Sequence, residues 1–364
     1  MRARAPWPVR TDLLPGELLS SYLVRAAMRQ GCDASTLTDD LWPGWRCWTV
    51  DIDRSILESR LDALEARSGL GRPAVGSATL ETVAGRVSGH TALSQGSWPW
   101  ITTLGSRGRR RRRGGLQYCP RCLDEDDIPY YRVLWRRAWH VCCARHGTVL
   151  LDRCPSCPSP VAFHALEVTG RHLAHCSRCM ADLRDAAVLP ASPDAQRLQR
   201  TADDVFDSGS AIVLDQSVDT PTWFSMAAFS TSLLRRARRC ETGSLHSMLA
   251  LLDIDVPSLP RVNHGMELEA FPPRERCDLL ASTRRLLDVG PCDLKSVLSS
   301  AGVTLQRFLG DYRQAPGPFD EIARSLPSNP RKRQPEKKRG AGPRTRREVD
   351  AMMARLERRL ELKR

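Results

Sequence analysis

The chain has 364 residues, 41% of them apolar, enough for two or three ordinary buried cores without covalent staples. Lys and Arg total 55 against 42 Asp and Glu, and the net charge of +13 points to a polyanionic partner, nucleic acid before membrane. No uncharged apolar run approaches the ~18 residues of a spanning helix, and the N-terminal stretch with Arg2, Arg4 and Arg10 has no apolar signal core. The expectation is a cytosolic protein, in which thirteen cysteines serve metal rather than disulfides.

Residues 1–104 read as a helical N-terminal region. Leu18, Leu19, Tyr22, Leu23, Ala26 and Ala27 recur at helical spacing up to Gly31, and Ile56, Leu57, Leu61 and Leu64 repeat the pattern before Gly69. Residues 105–117 open with "GSRGRRRRRGG", whose like charges and glycines predict a mobile basic loop containing Arg109, Arg110, Arg111, Arg112 and Arg113.

Residues 118–183 hold the cysteine region. Cys119-x2-Cys122 followed by Cys143-x2-His146 makes one four-ligand set, and Cys154-x2-Cys157 followed by Cys176-x2-Cys179 makes a second. Two residues between ligands let one tight turn aim both side chains at a single ion, and two such turns complete a tetrahedron. The sets therefore predict two structural zinc ions with no coordination position left for water. Cys142 competes with Cys143 through a three-residue spacer, His172 and His175 compete with Cys176, and pairing is either sequential or cross-braced. The acids Asp124 to Asp127, placed before Pro129, read as the start of a helix. Trp135 and Trp139 then fall on one face as core, with Arg132 and Arg136 on another, exposed.

Residues 194–326 return to helical periodicity, over Asp194 to Phe206, Thr222 to Arg238, Leu245 to Leu252 and Arg274 to Leu287. Two stretches fit a three-point helix-turn-helix template: "LVRAAMRQGCDASTL" through Ala27, Gly31 and Leu37, and "LKSVLSSAGVTLQRF" through Leu298, Gly302 and Phe308. An ordinary helical hairpin explains either as well. In the second, Thr304 caps a helix offering Gln306 and Arg307, with Arg313 beyond it, to DNA. Residues 327–364 read as a disordered basic tail ending in a charged helix. Positions 331–364 hold fourteen basic and five acidic side chains, among them Arg331, Lys332, Arg333, Lys337, Lys338 and Arg339, suited to salt-sensitive phosphate attraction. The fold class is thus mainly α with small zinc-stapled, ribbon- or knuckle-like modules.

The stretch "YCPRCLDEDDIPYYRVLWRRAWHVCCARHGTVLLDRCPSC" and the N-terminal "LLPGELLSSYLVRAA" resemble the TniQ family of transposition proteins, which includes the target-selecting TnsD branch. The shared signals are C-P-x-C-L, P-Y-x-R-x-x-W, C-x-x-H-G and L-L-x-x-C-P-x-C, with P-G-E, Ser, Leu and Arg-x-Ala before them. Tyr22 stands where Trp is usual. The resemblance covers residues 12–180 and implies the eight zinc ligands named above. It also implies an accessory role without transposase chemistry, in which the protein contacts a target, or a guide-RNA complex marking one, and recruits a TnsC-like AAA+ ATPase. A bacterial, nucleoid-associated location and homodimerisation go with that expectation. No G-x-x-x-x-G-K-[ST], G-x-S-x-G or H-E-x-x-H motif occurs, so the chain is expected not to be an enzyme. The alternative is a free-standing zinc-containing DNA-binding transcriptional regulator.

Overall fold

A computed structural model describes residues 5–90, 98–104, 116–167, 172–240, 242–261 and 266–328, together with Arg346 and Met353. The basic stretch at 109–113 and the cations at 331–339 lie outside the described residues. The chain divides into a unit Met1–Leu326 and a unit Pro327–Arg364.

Among the described residues the first unit is mainly helical: α1 (Leu19–Arg29), α2 (Ala34–Leu41), α3 (Glu58–Ser68), α4 (Arg72–Ser77) and α5 (Glu81–Ser88) precede the cysteine region. That region contains α6 (Pro120–Glu125) and short 3-10 turns. It is followed by α7 (Pro193–Ser208), the hairpin strands β1 (Ser210–Val213) and β2 (Gln216–Asp219), and α8 (Thr220–Arg239). The last helices are α9 (Ser244–Ala250), α10 (Pro273–Leu287), α11 (Pro291–Ser300), α12 (Leu305–Leu309) and α13 (Phe319–Ser325). The strands pair antiparallel as an isolated two-stranded sheet, Ser210 opposite Asp219. Long periodic stretches became helices where their caps allowed it. Asp33 and Asp219 accept from Thr36 N and Thr222 N to start α2 and α8, and α3 ends on left-handed Gly69.

A smaller core gathers Trp7, Tyr22, Leu23, Leu37, Leu41 and Trp42 around α1 and α2. The larger core runs from Leu18 through the cysteine region into α7, α8 and α10. Trp139 sits at its centre, with Trp100, Phe206 and Phe224 at 6.5, 6.0 and 4.8 Å. The expected tryptophan core is present, but its backbone differs from a helical face: Val133–Arg136 is a single 3-10 turn and Arg137 is extended.

Polar contacts fix how the N-terminal helices meet the cysteine region. Glu17 is buried and accepts from Leu14 N at 3.0 Å, Ser21 Oγ at 2.8 Å, and Arg25 Nε and Nη2 at 2.7 and 2.6 Å. Ser21 and Arg25, four apart on α1, share a row that faces Glu17 just before the helix. Ser21 Oγ in turn accepts from Tyr131 N at 3.0 Å, while Leu18 N donates to Tyr131 O and Val133 N to Gly16 O, each at 2.8 Å. The P-G-E, Ser and Arg positions thus dock directly onto the P-Y-x-R segment.

Arg136 corrects its sequence reading. Its side chain is fully buried, bonded to Asp51 Oδ2 at 2.5 Å, Asp53 Oδ2 at 3.1 Å and Thr102 O at 3.0 Å. Asp53 also accepts from Ser20 N and Ser20 Oγ, both at 2.8 Å. Arg132 is likewise committed, with 13% side-chain exposure, paired to Asp126 at 2.6 Å and lying over the Tyr130 ring. Neither is a free surface cation. Replacing Arg136 with Ala leaves the buried Asp53 carboxylate without its counter-charge, while Asp51 keeps Arg54, so the urea unfolding midpoint should fall by the equivalent of about 3–5 kcal/mol, as for breaking a buried pair from one side. An unchanged midpoint would show that the network carries no stability.

Candidate metal centres

Two donor sets converge in the cysteine region. Cys119, Cys122, Cys143 and His146 form one and Cys154, Cys157, Cys176 and Cys179 the other, each with its ligand atoms within 4.8 Å of one another. All eight residues predicted as ligands are therefore brought together, in sequential pairs rather than cross-braced.

In the first set, Cys122 Sγ lies 3.5 Å from Cys143 Sγ. His146 Nδ1 lies 3.4, 3.5 and 3.3 Å from the sulfurs of Cys119, Cys122 and Cys143. In the second, Cys154 to Cys179 is 3.5 Å and Cys157 to Cys176 is 3.6 Å. A disulfide needs about 2.05 Å between sulfurs. A tetrahedron with bonds of about 2.3 Å to sulfur has edges of about 3.8 Å, a little over the observed separations. The sets fit zinc in donor type, number and spacing. Zinc would be held by four protein donors in each, and when bound it would staple the loops without an open position for water.

Local chain geometry explains the convergence. Cys119 caps α6 and Cys122 stands in its first turn, so both sulfurs issue from one helix start. At the other pairs the chain makes a knuckle. Cys143 N donates to Thr148 O and Gly147 N to Cys143 O, both at 2.8 Å. Cys176 N donates to Ala181 O at 2.9 Å and Met180 N to Cys176 O at 3.0 Å in the same register. The residue after the second ligand must then be left-handed: Gly147 has φ 63° and Met180 φ 65°. Glycine meets that demand without strain, so Gly147→Ala should lower stability by about 1–2 kcal/mol, read as a lower unfolding midpoint of the metal-loaded protein. No loss would mean that the turn has another conformation.

The acidic run takes a different role from the one its sequence suggests. The helix starts at Pro120, not near Pro129, so Asp124 to Asp127 lie at its C-terminal end. Glu125 Oε1 faces His146 Nε2 at 2.8 Å while its Oε2 accepts from Arg145 at 2.7 Å. A carboxylate on the far ring nitrogen fixes the imidazole with Nδ1 toward the sulfurs and raises its basicity as a ligand. Asp126 binds Arg132, so half the run braces the site rather than a helix start.

The competing ligands are placed elsewhere. Cys142 is buried, donates to Gln199 Oε1 at 3.2 Å, and burial pushes its thiol up to about 12. Gln199 of α7 also accepts from Val141 N and Cys142 N at 3.0 and 3.1 Å and donates to Cys142 O at 3.0 Å, holding the segment that presents Cys143. The His172 and His175 rings lie tilted against each other, 4.2 Å between centroids, beside Asp182, whose carboxylate is bound by Arg184 at 2.5 Å. The guanidinium occupies the carboxylate that a third metal would need. Among the three thiols of the first set, hydrogen bonds from Cys122 and Cys143 hold Cys119 well below its usual range. Cys122 is pushed far up, first by its bond with Cys119. One thiolate is thus favoured before a metal displaces the remaining protons.

The nucleic-acid residues predicted on α12 are split. Thr304 accepts from Arg307 N, as expected of its cap, but α12 spans only five residues. Arg307 and Arg313 are exposed and Gln306 is half-buried. In the other candidate hairpin, the exposed face of α2 carries Asp33, Asp39 and Asp40 beside Ser35 and Thr36. Of these, Asp40 is paired with Arg67 and Asp33 caps the helix.

Two substitutions separate ligand from buttress. Elemental analysis of the purified chain should find about two zinc ions, by the four-donor rule. Cys142→Ser should keep both, and Glu125→Ala should weaken one by about 10–100-fold, as loss of a hydrogen-bonded carboxylate behind a ligating histidine does elsewhere. Full loss of an ion in Cys142→Ser would reassign the ligand.

Among the described residues no helix is long and apolar enough to cross a membrane. Residues 8–150 match the model of the TniQ family. That range takes in α1 to α6, the docking segment and the whole first donor set, and stops short of the second. No curated protein matches the chain.

Proposed function

We propose that this chain, which belongs to the TniQ family through residues 8–150 and is thereby associated with transposition, acts as an adaptor that puts an AAA+ ATPase of the TnsC type on target DNA. The observation that carries the reading is the family match over a region whose donors are closed. Four protein donors per ion leave no coordination position for a substrate, which supports a scaffolding use of the metal. In this reading the chain neither cuts DNA nor hydrolyses ATP. A guide-RNA complex that marks the target is compatible with the same role.

The ATPase-facing surface is assigned to the TniQ region, since that is the part the family shares. Arg132 and Arg136 are committed inside it, so the exposed apolar side chains Ile128 and Leu134, 43% and 38% exposed, are the positions to probe. In a reconstituted mixture the ATPase should accumulate on target DNA only with this protein present, and the double substitution Ile128→Ala with Leu134→Ala should weaken recruitment at constant zinc content. The adaptor reading fails if no ATPase binds in any nucleotide state and the purified chain alone protects a discrete operator.

A further inference from the structure

The C-terminal end of α8 carries Arg235, Arg236, Arg238 and Arg239. A helix C-terminus offers only about half a negative charge, too little to offset four cations. Among the described residues none of the four is ion-paired to a carboxylate, nor are Arg307 and Arg313. Three of them spend N–H groups on backbone carbonyls instead: Arg235 on Met266 O, Arg236 on Arg307 O and Phe308 O at 2.8 and 2.7 Å, and Arg238 on Leu259 O at 2.7 Å. A carbonyl satisfies a donor without cancelling its charge. Burial holds the Arg235 and Arg236 guanidinia below their usual range, and the charge of Arg239 adds to the depression of both.

These cations border a cavity of about 160 Å³ between the end of α8, the turn into α9 and α12, lined by Arg236, Cys240, Thr242, Ser244, His246 and Arg307 among others. Arg236 reaches the end of α12 only because Gly310 stands there, where φ is 61° and a Cβ would run into the Arg236 guanidinium. Among the described residues no acid lines it, and hydroxyls and an imidazole stand beside the guanidinia. Among the described residues the lining has no Phe, Tyr or Trp ring on which a base could stack. With α12 only five residues long, there is little recognition helix to insert in a major groove.

We propose that this cleft seats a phosphate of a nucleic-acid backbone, with Arg239, Arg307 and Arg313 extending the contact to neighbouring phosphates. It rests on the reading of the chain as a protein that works on target DNA, and assigns to its C-terminal half the task of holding the backbone rather than reading bases. Guanidinium forks suit tetrahedral oxyanions, and uncompensated cations outside the cavity favour a polyanion over a single small anion.

The test uses the intact, zinc-loaded protein and duplexes of unrelated sequence. Arg239→Ala and Arg307→Ala remove exposed side chains, leaving Arg236 to hold α12. Each should weaken all duplexes alike and reduce the slope of log affinity against log salt by about 0.9. Bound duplex should also protect Cys240, at the cleft, from a bulky maleimide, while exposed Cys292 on α11 serves as the reference for unprotected thiol. Unchanged slopes with Cys240 unprotected overturn the site. Equal protection by polyglutamate overturns the nucleic-acid occupant in favour of an acidic protein, and full displacement by millimolar inorganic phosphate reduces the site to a single-anion pocket. Failure of the wild-type chain to bind any duplex removes the DNA reading itself. Reduced slopes in variants that still recruit the ATPase at wild-type level support the site and keep it distinct from the ATPase contact.

Discussion

A guanidinium with no solvent exposure, Arg136, sets how the halves of the TniQ region meet. Taking a cation out of water costs several kcal/mol unless its partners stand at the right distance, and here they come from two segments: Asp51 and Asp53 before α3, and Thr102 before the cysteine region. These partners tie the loop before α3 to the 133–136 turn, and Asp53 carries the tie to α1 through Ser20. A buried ion pair is weak evidence of net stability but strong evidence of geometry, because alternatives leave charge unmatched. The Glu17, Ser21 and Arg25 cluster acts in the same way, and Ser21 passes the constraint to Tyr131.

From that docking the metal sets inherit their positions. Cys119 follows Tyr118, which exchanges backbone bonds with Leu151 at 2.8 and 2.9 Å, and Cys143 follows the segment that Gln199 clamps from α7. The first set is thus braced from both sides, with three buried sulfurs. The second has an exposed Cys179 and a half-buried Cys157, and leans on its own knuckle. Where donors are buried and second contacts are fixed, metal release requires opening the surrounding core. Where they are exposed, local fraying suffices. Two ions held in these sets would therefore have unequal kinetic protection within a single compact unit.

Local patterns were legible in the sequence because their causes are local. Donor pairs two residues apart announce a turn whatever lies around them, and the periodic stretches around α1, α3, α8 and α10 announce a buried stripe. What escaped was long-range. Arg136 read as an exposed face because its partners Asp51 and Asp53 stand 85 and 83 residues away, and Gln199 gave no signal because a glutamine in a helix carries none. The acidic run misled for a nearer reason: two prolines compete to start a helix there, and Cys119 as the cap of Pro120 wins because the metal set needs its sulfur at that helix start.

Charge separates the surfaces that packing unites. The exposed side of α2 presents Asp33, Asp39 and Asp40, and the exposed end of α6 presents Asp124, Glu125 and Asp127. The end of α8 presents Arg236 and Arg238, whose donors are spent on carbonyls, and α12 presents the exposed Arg307. A polyanion approaching the folded unit meets repulsion on the first surfaces and attraction on the last, and at physiological ionic strength that contrast is felt within about 8 Å. Both candidate helix-turn-helix stretches have the turn glycine and the apolar anchor that a template asks for, although Leu298 is large where Ala27 is small, because those positions make any two helices cross closely. The sign of the charge on the outward face distinguishes them, and it is invisible to a template built from inward-facing residues.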